Sequence, residues 1–255
     1  MKKRIALLLW VAVVSVSLTT YLFWHFEHEV NPAVGDYFDV MWWWVVTSAT
    51  VGYGDIVPIT MMGRLSAMLA IVTGFFIYTN LVAIVAESAH EYLERKNKGR
   101  VTVKSENHII ICEYTAIADE LIQALEHWER FKSFDVVIVT DLVSQNPYSQ
   151  HSFVSGVPLN PMALRMANIE AANYIFIFAN LRFADPDIKT LHVATRVLSL
   201  NQKATVFVEM IDPNNDLLKY ASNRVKPLGS RKLVEAVLRD GHISAESWEK
   251  MCFGS

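Results

Sequence analysis

Thr50, Val51, Gly52, Tyr53 and Gly54, followed by Asp55, are the residues of this chain whose types and spacing fit chemistry at a single bare cation. A threonine hydroxyl and successive peptide carbonyls turned one way offer stacked oxygens that replace the hydration shell of an ion such as K+. Turning the carbonyls that way needs left-handed backbone angles at alternate residues, which Gly52 and Gly54 adopt without a Cβ clash. Val51 and Tyr53 then turn their side chains outward. Four copies about an axis would close K+ cages at Thr50, Val51, Gly52 and Tyr53. Asp55, at the outer end, has two readings: it attracts cations, or it fixes the strand through a hydrogen bond to Trp42.

Such a strand needs elements that hold it at membrane depth. Ile5 to Trp24 is uncharged for 20 residues, which as a helix rises about 30 Å, the thickness of a hydrocarbon core. A second uncharged stretch runs from Leu65 to Ala86, so the expected spans are 5–25 and 64–90, with the pentapeptide between them. Lys2, Lys3 and Arg4 also suit a secretory leader, but the apolar run is too long for one and no small-x-small cleavage site follows. Basic residues lie before the first span and, as Arg95, Lys96, Lys98 and Arg100, after the second. That distribution places both termini in the cytoplasm.

The segment 36–48, containing Trp42, Trp43 and Trp44, reads as a short helix of about 18 Å, too short to cross and able only to dip in and return. Its C-terminal carbonyls would add partial negative charge beneath the strand. The tryptophans read either as an interfacial belt or as packing behind the strand, where their indole N–H groups need partners.

On these residues, 1–98 resembles the two-span pore module of prokaryotic potassium channels. The resemblance implies a selectivity filter at 50–54, with Trp42 and Trp43 in the aromatic cuff that bonds Asp55 and Tyr53. Val46 stands where many members carry a glutamate, so one style of filter inactivation is not implied. Gly74 falls at the family's hinge glycine; the other reading is that it lets two helices approach closely. Phe75, Tyr78, Thr79, Val82, Ala83 and Ala86 recur at helical spacing as an axis-facing gate stripe. Glu87 follows as either an acidic ring at the inner mouth or a solvated charge. His25, Glu27, His28 and Glu29 form a titratable outer loop that reads as a pH sensor or as an ordinary solvated turn.

From Glu91 to Lys104 the chain is highly charged, so residues 99–106 read as a linker. Beyond it, continuous apolar runs at 108–112, 134–140, 173–179 and 204–210, with weaker ones at 151–155 and 224–228, alternate with helical stretches. Those stretches are Ile117 to Arg130, Pro161 to Asn168, Asp187 to Leu200, Asn214 to Ser222 and Arg231 to Asp240. The pattern predicts a six-strand, doubly wound, Rossmann-like α/β domain over 107–245, with 246–255 as a tail. The turn after the first strand, Cys112-Glu113-Tyr114, lacks the glycines of a dinucleotide fingerprint, and Glu113 puts negative charge where phosphate would lie. Asp141, closing the second strand, reads as a ribose ligand or as a lone solvated aspartate. No acid, base and nucleophile gather at the strand ends, so no enzyme is expected.

This half resembles the N-terminal lobe of the RCK (regulator of K+ conductance) domain. The resemblance rests on strand order, on Gly156 in the family's Gly-Asp position and on the run from Ala163 to Phe178. Val157 replaces the aspartate, Ala179 or Asn180 replaces a carboxylate, and Glu209 matches one acidic ligand while Ile211 replaces the next. With only Asp212 nearby, Glu209 is too little for a calcium site. The implied regulatory ligand is thus an unidentified divalent cation or nucleotide, bound if at all near Glu113, Tyr114, Asp141, Gly156, Glu209 and Asp212. The chain ends soon after the last expected helix, as a short protein or a fragment would. Leu233, Val234, Val237 and Leu238 form a face expected to pack on a neighbouring lobe.

Composition fits this division: 52% of residues are hydrophobic, 19% are charged and the net charge is −3, which gives no electrostatic case for nucleic acid. Cys112 and Cys252 both fall on the reducing side, so no disulfide is expected. The expectation is a homotetrameric K+-selective channel in the cell's inner membrane, in contact with lipid, gated through its lobes and joined at most by additional RCK lobes. The alternative is a non-conducting membrane-anchored sensor or assembly subunit.

Overall fold

The computed structural model describes residues 2–254, which form two compact units, one ending at Glu91 and the other beginning at Tyr92. The first unit holds helix α1 (Lys2–Glu27), helix α2 (Tyr37–Ser48) and most of helix α3 (Met61–Asn97). Both α1 and α3 are long and apolar enough to cross a membrane. Leu9, Val13, Met68 and Val72 stay exposed, as lipid-facing side chains do, while Phe23, Val40, Trp43, Trp44 and Ala70 form a core among the three helices. Helix α2 starts where its sequence says it should: the Asp36 carboxylate accepts from the Asp39 amide and Asp39 reaches back to the Asp36 amide, a capping box. Both transmembrane helices run further than expected, α3 by seven residues beyond 90.

The second unit carries a parallel sheet of six strands in the order β3-β2-β1-β4-β5-β6, the doubly wound pattern the sequence predicts. The strands are β1 (His108–Cys112), β2 (Val136–Thr140), β3 (Ser152–Ser155), β4 (Ala172–Ile177), β5 (Thr205–Met210) and β6 (Val225–Gly229). Helices α4 (Ala116–Leu125), α5 (Pro161–Met166), α6 (Pro186–Leu200), α7 (Ser230–Asp240) and α8 (Ala245–Phe253) cover its faces. All five residues of β1 and of β2 are buried, which explains their unbroken apolar sequence.

Four expectations need correction here. The stretch from Asn214 to Ser222 is only a short 3₁₀ turn, Asp216–Tyr220, which Asn215 opens by accepting from the Leu217 amide and which closes on an i→i+3 bond from the Ala221 amide to Leu218 O. The tail is helix α8, which buries Trp248 and Cys252 in the lobe's own core. The segment 99–106 is docked on the lobe: the Ser155 amide donates to Gly99 O at 3.0 Å and the Val103 amide to Met166 O at 2.8 Å. The face of α7 is split, with Leu233 buried in the lobe's own core while Val234 and Leu238 are exposed.

Candidate ion pathway and ligand crevice

The strand 50–54 is stitched to the end of α2. Thr50 N donates to Thr47 O at 3.1 Å, while Val51 N and Gly52 N both donate to Val46 O, at 3.0 and 3.2 Å. Two of the helix's last carbonyls, those of Val46 and Thr47, are therefore engaged by the strand itself. Positive φ alternates along it, 60° at Thr50, 58° at Gly52 and 77° at Gly54. A Cβ on Gly52 or Gly54 would meet nothing within 4 Å, so these glycines are required by backbone angle and not by crowding within one chain. Thr50 shares the left-handed geometry, which residue type alone does not signal.

At the outer end, Trp42 Nε1 donates to Asp55 Oδ2 at 2.9 Å, and the Trp42 ring stacks on Tyr53 with centroids 5.9 Å apart. Of the two readings of Asp55, the geometry matches strand fixing. Trp43 is placed differently: within one chain its ring stacks on Phe23 at 3.6 Å, not on Tyr53. Trp44 is not an interfacial belt residue; it is buried, and its Nε1 donates to Thr19 Oγ1 at 2.9 Å.

Below the strand, Ser48, Ala49, Thr50, Phe75, Tyr78, Thr79 and Val82 line one cavity of about 420 Å³, which brings four members of the expected gate stripe together with Thr50. Ala83 is not among its lining residues. Gly74 is buried, and a Cβ added there would run into Ser48 Cβ, so the close-approach reading has a named partner. Glu87 is not a solitary charge: Arg4 Nη1 donates to its Oε2 at 3.1 Å.

The outer acidic loop is also different from the sequence reading. Glu27 is fully buried; it accepts from Ile59 N at 3.0 Å, Thr60 N at 2.8 Å, Thr60 Oγ1 at 2.7 Å and Asn31 Nδ2 at 2.8 Å. Asn31 Nδ2 also donates to Val57 O at 2.9 Å. Glu27 and Asn31 thus anchor the segment 57–60 that follows the strand, a role with no short-range sequence signal.

In the lobe, the carboxyl ends of β1 and β4 mark the point where strand order reverses, the usual ligand crevice of such sheets. Glu113 lies there, 1% exposed, with φ 67°. Its carboxylate is ion-paired with Lys189 and accepts from Thr140 Oγ1 at 3.4 Å. Tyr114 and Tyr148 both donate to Asp119 Oδ1, at 2.5 and 2.7 Å, and burial together with this carboxylate raises both phenols, Tyr148 to about 12. Asp141 is exposed at the end of β2.

Glu209 and Asp212, two of the residues named for a regulatory ligand, are each engaged within the lobe. Glu209 Oε2 accepts from Ala179 N at 2.9 Å and Oε1 from Ser230 Oγ at 2.7 Å, and burial raises its pKa. Asp212 caps the Asn214 amide at 3.0 Å. Among the described residues, no group of three or more His, Cys, Asp or Glu side chains is arranged to hold a metal. Gly156 serves packing, since a Cβ there would lie 2.9 Å from Ala163 Cβ. Both cysteines are buried and free, and burial raises both thiols, Cys252 to about 12.

Residues 7–91 match the family described as Ion channel. YugO of Bacillus subtilis (strain 168), named for a potassium channel, is 30% identical over 177 residues, which are 68% of this chain and 53% of YugO. The calcium-gated potassium channel TvoK of Thermoplasma volcanium is 29% identical over 211 residues, 80% of this chain and 59% of TvoK. The chain thus spans only between half and three fifths of these relatives' length. Among solved structures, the GsuK channel superposes with a TM-score of 0.56 at 22% identity, covering 88% of this chain and 40% of that one. GsuK bound to NAD gives 0.53 at 21% identity, covering 87% and 40%. The fold is therefore that of the GsuK channel: a module of two long apolar helices and a short one, joined to a doubly wound α/β lobe.

Proposed function

We propose that this chain, which matches the ion-channel family over residues 7–91 and is similar to proteins named as potassium channels, is the subunit of a homotetrameric K+-selective channel gated by an intracellular ligand. The observation that carries the reading is the alternation of positive φ at Thr50, Gly52 and Gly54 in a strand bonded to the end of α2. That alternation turns carbonyls in one direction, and four such strands complete the oxygen cages of a dehydrated K+ ion. The cavity beneath Thr50, walled by Phe75, Tyr78, Thr79 and Val82, then becomes the water-filled vestibule through which K+ reaches the filter.

The two long apolar helices fit a membrane protein. The basic residues flanking them favour an inner-membrane orientation with both termini in the cytoplasm, where the lobe meets soluble ligands. Calcium gating in TvoK's name and NAD in a GsuK structure support an intracellular ligand as the signal, with further RCK lobes as possible companions in the ring. The test is 86Rb+ uptake into liposomes carrying the purified protein. K+-selective uptake that Gly52→Asp abolishes is the expected result; Na+ flux equal to Rb+ flux overturns the proposal.

A further inference from the structure

The crevice at the carboxyl ends of β1 and β4 is where a sheet of this topology takes a dinucleotide, with its pyrophosphate on the first strand-to-helix turn and the following helix N-terminus. In this chain that position is filled from within. Glu113, on the turn itself, is 1% exposed and Lys189, from the first turn of α6, has a side chain only 9% exposed; the two form an ion pair. The Lys189 ammonium also lies 3.8 Å from the centre of the Phe183 ring, and Thr140 donates to the second Glu113 oxygen. Each charge is therefore matched inside the protein, with the ring and hydroxyl completing the enclosure.

The adjoining helix end adds to this in a smaller way. At the start of α4 the Thr115 hydroxyl already accepts from the Ala118 amide at 3.2 Å. Asp119 adds a carboxylate in that first turn, held by Tyr114 and Tyr148. With Glu113 matched by Lys189, Asp119 still leaves a carboxylate beside a helix end whose Ala118 amide is already capped, which disfavours an anion there.

We propose that the Glu113–Lys189 ion pair is a resident occupant of this crevice, that it excludes nucleoside diphosphates and dinucleotides, and that a gating ligand of the channel reading binds elsewhere on the lobe. The consequence for gating rests on that channel reading; the exclusion does not, and a binding assay tests it without any conduction.

The experiment is calorimetric titration of ADP and, separately, NAD into the whole detergent-solubilised protein. Wild type is expected to give no saturable heat at millimolar nucleotide. The double substitution Glu113→Gly with Lys189→Ala empties the position and places glycine at a positive φ, and is expected to gain saturable ADP or NAD binding at least roughly tenfold tighter than that limit. Glu113→Gln with Lys189→Met keeps the space filled without charge and is expected to remain non-binding, so it serves as the folded control if the emptied variant does not assemble. Saturable binding by wild type or by the Gln/Met variant overturns the proposal, as does a folded Gly/Ala variant that still binds neither nucleotide.

Discussion

Glu27 and Thr60, 33 positions apart, are joined twice: one carboxylate oxygen, Oε1, accepts from both the Thr60 amide and the Thr60 hydroxyl. With Ile59 N and Asn31 Nδ2 on the other oxygen, every partner of this buried carboxylate is a donor. Only an ionised carboxylate satisfies four donors at once, since glutamine would turn an NH2 toward some of them. Gly63 belongs to the same arrangement, because a Cβ there would strike the Glu27 carboxylate. Glu27→Gln is expected to lower the thermal stability of the assembled protein and reduce K+ flux, at a cost of about 1–3 kcal/mol for each donor left unpaired. Melting in detergent and Rb+ flux on the same preparation check it; a variant matching wild type in both would remove Glu27 from the support of the outer mouth.

Gly74 and Ser48 make a second pairing that a substitution and its complement can test. A methyl at position 74 would occupy the space of Ser48 Cβ, where overpacking costs about 1–3 kcal/mol. Gly74→Ala alone is expected to reduce assembly and flux, and Ser48→Gly in the same chain to restore both. Restoration assigns the glycine to close packing against α2. Persistent loss of opening in the double variant, with assembly intact, assigns it to a hinge instead.

The alternating backbone at 50–54, both long apolar helices and all six strands were legible because each carries a local signal: glycines at alternate positions, uncharged stretches of membrane length, or buried apolar runs. Val225–Gly229 was visible despite Pro227 because it is an edge strand, where a missing amide matters least. What stayed hidden depends on partners remote in sequence. Glu27 looked like one of several surface acids until Ile59 and Thr60 arrived at its carboxylate. Lys189 sat unremarked in a helix 76 positions from Glu113. Helix α8 read as a tail because its short apolar content becomes core only once Trp248 meets Phe178, with ring centroids 6.5 Å apart.

Gly99 ties the segment after α3 to the edge of the lobe's sheet. Its φ is 64°, and a Cβ there would run into Ser155 N and the Phe153 ring, so alanine must both strain the backbone and break the contact. The left-handed angle alone costs about 1–2 kcal/mol for a residue with a Cβ. In Gly99→Ala the Ser155 amide, which donates to Gly99 O, is expected to exchange with solvent faster, while β1 and β2 amides keep their protection. Since α3 continues unbroken to Asn97, just before this tie, the same variant is expected to change channel open probability. Unchanged exchange at Ser155 would show that the segment is not held there.

Glu209 gives the lobe a stability that varies with pH, and the sign follows from its burial. Its carboxyl, on β5, receives the Ala179 amide and the Ser230 hydroxyl, yet burial outweighs them and raises its pKa, with the Asp187 charge adding to the rise. A raised value means the folded lobe binds this proton more tightly than the unfolded chain. Glu209's contribution is therefore most favourable below its unfolded pKa and is lost as pH rises through the folded one. Glutamine keeps both contacts, accepting from Ala179 N and donating to Ser230 Oγ, without the buried charge. Glu209→Gln is expected to be more stable than wild type near about pH 8, with the difference shrinking toward about pH 5. Glu209→Ala, which leaves the Ala179 amide unpaired, is expected to be less stable at both values, by about 1–3 kcal/mol. Denaturant melts of the three proteins at the two pH values check this, and a Gln variant less stable than wild type at the higher pH would mean that the ionised carboxylate supports the fold.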